Sequence, residues 1–161
     1  MAEEGETAGE DKGKGMQEEI MQGARIKYIE HPSDVGFEVF GETLEEIFAN
    51  AAIATFSFMT NIDEIEEEEE REVRLKAEDL CSLMFDWLDE MLFYFESESL
   101  VFKKFDIRVN DKDFSLEGKC IGGKFDPAKH SSGIIVKAVT YNMMEVKRED
   151  SLWKARVVLD V

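Results

Sequence analysis

Residues 80–95 read LCSLMFDWLDEMLFYF, and the spacing of their apolar positions decides the fold class. Leu80, Leu83, Met84, Trp87, Leu88, Met91, Leu92 and Phe95 follow the i, i+3, i+4, i+7 template without a gap. That is the pattern of a helix with one face turned to a core. Phe85, Phe93 and Tyr94 fall outside the stripe. They either pack beneath neighbouring strands or make an apolar partner surface; the wide helix face that a small domain buries favours the first.

Toward the N-terminus, Thr43-Leu-Glu-Glu46 is a capping box that opens a second helix. Leu44, Ile47, Phe48, Ala51, Ala52, Phe58 and Met59 share one face of it, and it should end near Asn61. Ahead of this helix, residues 25–30 (RIKYIE) alternate as a strand, residues 31–36 (HPSDVG) read as a loop, and residues 37–40 (FEVF) resume a strand before Gly41. Between the helices, Asp63–Glu70 holds seven acids in eight positions. It reads as a solvated charged loop running into an exposed strand at Val73 and Leu75, or else as a docking surface for a basic partner.

Beyond Val101 the period is two. Phe105/Ile107/Val109, Phe114/Leu116, Ile135 to Thr140, Met144/Val146 and Trp153/Ala155/Val157/Leu159 read as strands, separated by turn signals such as Asn110-Asp111 and Glu149-Asp150. Two helices placed early and strands placed late predict an α+β single domain, with the helices packed on a largely antiparallel or mixed sheet.

The chain has 161 residues, 43% of them hydrophobic, which is enough for a core. Residues 1–23 carry seven acids and almost nothing to bury, and read as a disordered acidic leader before a folded domain over 24–161. The net charge is −18, so unaided nucleic-acid binding is not expected. No apolar run has the length of a membrane span, and residues 1–23 lack the pattern of a signal peptide. Cys81 and Cys120 form neither a disulfide framework nor a metal-ligand spacing, which suits a reducing cytoplasm.

The sequence offers little enzymatic chemistry. Gly122-Gly123 is an isolated pair without the spacing of a nucleotide-binding loop. Cys81 opens a helix, where the dipole would lower its pKa, yet it has no local histidine or acid to activate it and reads as a small core residue. His130 reads as a loop histidine. Two acids stand out: Asp34, in the turn between the first strands, and Asp160, on the face of the final strand that also carries Lys154, Arg156 and Val158. If that strand ends beside the Asp34 turn, both side chains and the Val161 carboxylate converge on a site suited to a hard cation such as Ca²⁺ or Mg²⁺. Otherwise Asp34 is an Asx-turn residue and Asp160 a frayed end.

The chain also resembles the archease family from Tyr28 to Val161. The matching pieces are His31-x-x-Asp34-Val-Gly36, residues 41–48 (GETLEEIF), Phe58-Met-Thr60, residues 86–93 (DWLDEMLF), residues 137–141 (KAVTY) and Leu159-Asp160-Val161. Pro32-Ser33 is a departure, since relatives usually carry Thr-Ala there. The resemblance implies a non-catalytic protein cofactor of an RtcB-type RNA ligase, promoting ligase guanylylation and multiple turnover in tRNA splicing. It also implies a divalent metal site at Asp34, Asp160 and Val161, with Ca²⁺ foremost and Mg²⁺ or Mn²⁺ as alternatives, and an activity-linked role for Lys137. A chaperone-like binding module for tRNA-processing or tRNA-modifying enzymes is the alternative; a free-standing hydrolase would need a nucleophile–base pair that the chain does not offer.

Overall fold

Period-two alternation produces eight strands, and the two helical patterns lie among them. The computed structural model describes residues 16–21, 24–30 and 34–161. In chain order these are β1 (Met16–Met21), β2 (Ala24–Glu30), β3 (Asp34–Gly41), α1 (Leu44–Met59), a short 3-10 turn (Ile62–Glu64), β4 (Glu69–Lys76), α2 (Leu80–Glu98), β5 (Leu100–Asn110), β6 (Ser115–Lys124), β7 (Ala138–Glu149) and β8 (Leu152–Asp160). The strands form two antiparallel sheets, β1-β2-β3-β8-β7 and β4-β6-β5, where the sequence reading anticipated one.

Both helices are capped as their sequences dictate. Thr43 Oγ1 accepts from Glu46 N at 3.1 Å, while the Glu46 carboxylate takes the Glu42 N–H at 2.9 Å, one residue outside the expected partner. Asp79 Oδ1 accepts from Ser82 N at 2.7 Å to open α2, which Ser99 closes in the left-handed conformation. α1 buries more than the single face its periodicity suggested. Ala51 through Phe56 are all buried, because α1 packs on β3 of one sheet and on β5 of the other. The apolar face of α2 fits the expected stripe, with Leu83, Met84, Trp87, Leu88 and Met91 inaccessible to solvent.

Four boundaries differ from the sequence reading. Residues 16–21, assigned to the leader, pair with β2 as an antiparallel edge strand. Low apolar content argues against burial, but it does not prevent backbone pairing at an edge. Residues 1–15 and 22–23 of that leader lie outside the described residues, as do His31, Pro32 and Ser33. Asp34 is the first residue of β3 rather than part of a turn. Ile135 is not in a strand: Gly133 N and Ile134 N instead donate to the Met59 and Phe58 carbonyls, satisfying the last turn of α1. β7 then runs through both of the short strands expected at 138–140 and 144–146, with a bulge between Thr140 and Glu145.

Candidate functional site

The antiparallel register of β3 on β8 sets Asp34 directly across from Asp160. Residues so opposed have Cβ atoms about 4.5–5.5 Å apart on one face, which brings the two carboxylates within reach of a common ion. Two like charges in this position oppose pairing unless something lies between them. Asp34 is half-buried, and its Oδ1 is shut off from solvent with no hydrogen-bond partner among the described residues. A buried carboxylate oxygen left without a donor is costly, and a cation is one of the groups that removes that cost.

The neighbouring strands fix this end of the sheet. The Asp160 carbonyl accepts from Lys137 N at 2.8 Å, and Ala138 is the partner of Asp160 on the β7 side. Lys137 is therefore tied by its backbone to the carboxylate pair while its side chain stays exposed. Val161 is half-buried against the core, directly beyond Asp160. Asp34, Asp160, Val161 and the Lys137 backbone thus meet at one corner. No group of three or more His, Cys, Asp or Glu side chains fit to hold a metal occurs among the described residues, so an ion here would draw its remaining donors from backbone carbonyls and water.

Gly36 holds the strands close. A Cβ there would stand 2.7 Å from the Val157 carbonyl oxygen, which is backbone and cannot swing away. Gly36→Ala should therefore cost about 1–3 kcal/mol by chemical denaturation and splay the end of β3 from β8. An unchanged midpoint would show that the strand pair has slack.

The face shared by Asp34 and Asp160 continues into an ion-pair network that the sequence reading did not assemble. Glu38 is 5% exposed; its Oε2 accepts from Arg156 Nε at 2.9 Å and lies 3.5 Å from Lys154 Nζ. Glu145 bridges from β7 to both cations, at 3.7 Å to Arg156 and 3.8 Å to Lys154. The alternation that puts Lys154, Arg156 and Asp160 on one face was visible; the register that adds Glu38 was not.

The other candidates resolve as structural groups. The Cys81 thiol is pushed up, chiefly by burial, against the lowering expected of a helix start. The buried Cys120 thiol is pushed up to about 12 by burial. Neither is a thiolate nucleophile. His130 Nδ1 accepts from Asp126 N at 2.9 Å within its own loop. Gly122 exists for packing, since a Cβ would meet the Val101 oxygen.

A family model described as the Archease protein family matches residues 27–161. The chain belongs to the archease family. It is 41% identical over 143 residues to the archease of Methanosarcina mazei, spanning 87% of this chain and 98% of that one. It is 37% identical over 137 residues to that of Sulfurisphaera tokodaii, at 85% and 99%. The solution structure of Methanobacterium thermoautotrophicum protein 1598 superposes with a TM-score of 0.75 at 42% identity, covering 88% of this chain and all of that one. A crystal structure from Thermotoga maritima, termed an archease and possible chaperone, shares the fold with a TM-score of 0.59 at 22% identity over 83% and 94% of the two chains. The archease assignment thus covers both strands that carry the carboxylate corner. Among the described residues, no helix is long and apolar enough to cross a membrane.

Proposed function

We propose that this archease is a non-catalytic activator of an RtcB-type RNA ligase, acting through a divalent cation held between Asp34 and Asp160. The observation that carries the reading is the register pair itself, together with the orphaned Asp34 oxygen. Two anionic side chains, the Val161 main-chain oxygens and nearby carbonyls make a hard, oxygen-only donor set. Ca²⁺ suits such a flexible arrangement best, and Mg²⁺ or Mn²⁺ would need more water in the shell. When bound, the ion supplies positive charge that can compensate the phosphates of a nucleoside triphosphate at the ligase. Asp34 and Asp160 hold it, the Lys137 backbone fixes Asp160, and the exposed Lys137 ammonium is free to meet the same phosphates. The acidic body keeps the protein off RNA while drawing it to a ligase made basic for RNA.

Asp34→Asn and Asp160→Asn test this directly. Each amide retains shape and one acceptor oxygen but loses the charge that binds a hard cation. In calorimetry each should weaken Ca²⁺ affinity by about tenfold or more. In cation-free buffer the variants should melt no lower than the parent, because the like-charge pair is relieved; added Ca²⁺ should raise the melting temperature of the parent alone. Multiple-turnover ligation by the cognate ligase should fall with the affinity, leaving single-turnover joining less affected. Variants that activate like the parent would remove the ion from the mechanism. The chaperone-like reading, to which the Thermotoga maritima relative's description points, would then stand, since it requires partner binding but neither carboxylate.

A further inference from the structure

The helix that anchors the core also carries an outward face that no element of the described fold covers. Phe93 is 57% exposed on α2, and across from the helix Tyr141 and Met143 of β7 are each 55% exposed. Tyr141 stacks on Phe85 of α2 with ring centroids 4.3 Å apart and planes 8° from parallel, which joins β7 to α2 at this point. The β7 bulge makes this surface. Residues 141–144 leave the β8 register, and Met143 takes φ 59°, a left-handed conformation that a non-glycine residue adopts at a cost. A bulge of this kind re-aims side chains; here it turns a tyrosine and a methionine outward at the edge of a sheet.

Charge around this surface is one-sided. Asp86, Asp89 and Glu90 lie along α2 between Phe85 and Phe93, and none of them makes an ion pair with a basic side chain among the described residues. Burial, and then the neighbouring acids, pushes the Asp86 and Glu90 carboxyls up from their ordinary range. The folded protein by itself is therefore worse off for holding these charges. A second copy of the chain is a poor occupant, because two bodies of charge −18 would bring the same three acids face to face. Nucleic acid is excluded by the same sign.

We infer that the α2–β7 surface formed by Phe85, Phe93, Tyr141 and Met143, with Asp86, Asp89 and Glu90, is the docking site for a basic protein surface with an apolar centre. This rests on the activator reading, under which that surface belongs to the ligase. Aromatic and methionine side chains supply the desolvated centre that carries most binding energy, and the acids supply partner choice and encounter rate. Tyr141 is three residues along β7 from Ala138, the partner of Asp160, or about 10 Å of strand. The carboxylates themselves project from the face of that sheet turned away from α2, so a protein seated here would reach them only around the β7 edge.

The test uses the full chain and its cognate ligase, with three double variants: Tyr141→Ser with Met143→Ser, Asp86→Asn with Asp89→Asn, and Glu66→Gln with Glu68→Gln. The last makes an equal charge change on a different acidic surface. Calorimetry should show the first two each weakening ligase binding by about tenfold or more, and the third near the parent. The Asp86/Asp89 variant should melt at or above the parent temperature while binding worse, which a structural role for these acids would not produce. Association of the parent should slow with added salt, and that dependence should shrink in the Asp86/Asp89 variant alone. Parental affinity in both α2–β7 variants, with activation intact, would overturn the surface assignment and leave the activator reading standing. Parental self-association that only the α2–β7 variants abolish would overturn it in favour of a second copy. A parent that neither binds nor activates the ligase would remove both.

Discussion

Trp87→Ala should remove about 3–5 kcal/mol of folding stability, a large part of the 5–15 kcal/mol or so that holds a domain of this size. Trp87 has no solvent exposure and lies where α2, α1 and the second sheet meet. Its ring stands edge-on to Phe105 of β5 with centroids 5.7 Å apart, and its Nε1 donates to the Phe48 carbonyl of α1 at 2.8 Å. Truncation therefore leaves a cavity and also strips a partner from a buried carbonyl. Trp87→Phe separates the two contributions, since it fills most of the volume but cannot donate. Denaturant unfolding should place it between the parent and the alanine variant. A loss under about 1 kcal/mol for alanine would mean that the helices do not depend on this residue for their contact.

The second large effect lies on the opposite face of the first sheet. Glu38→Ala should cost about 3 kcal/mol, because it leaves the Lys154 ammonium, only 10% exposed, with carboxylates no closer than 3.8 Å. The pair as a whole is a weaker contributor than its breakage suggests, since two desolvated charges regain little more than they lose. Glu38→Leu combined with Lys154→Met should therefore recover much of the loss. Thermal melts of the single and double variants measure the difference. If the single variant were as stable as the parent, the network would be ordinary surface charge, worth a few tenths of a kcal/mol at most.

Local patterns in the sequence carried the helices almost intact. The Leu80–Phe95 stripe, the Thr43 cap and the facing of Trp153, Ala155, Val157 and Leu159 needed only periodicity and short-range hydrogen bonding. What escaped was whatever depends on partners distant in the chain. β1 owes its existence to the pairing of Met16–Met21 with β2, and α1 its second buried side to a sheet formed tens of residues later. The Asp34–Asp160 pairing was conceivable from alternation, but only the register places them opposite each other. Phe85, Phe93 and Tyr94, grouped together by their position off the stripe, met different ends. Tyr94 packs edge-on against Phe102, Phe85 is half-covered by Tyr141, and Phe93 faces solvent. Nothing in periodicity marks Met143 as the residue at which β7 would bulge.

The strand made last among those described sits between two made earlier. β8 fills the gap between β3 and β7, whereas the β4-β6-β5 sheet needs nothing beyond Lys124. A growing chain can thus complete its smaller sheet, with α2 against it, while β3 still offers an open edge to anything nearby. From Lys124 to Asp160 the ribosome needs roughly two to seven seconds at about 5–20 residues per second. For that interval the nascent protein has one of its two opposed aspartates but not the other, and β3 keeps an unpaired edge that its own β8 later closes. Slower synthesis through this stretch should then lengthen the exposure of that edge and raise the share of the protein lost to aggregation.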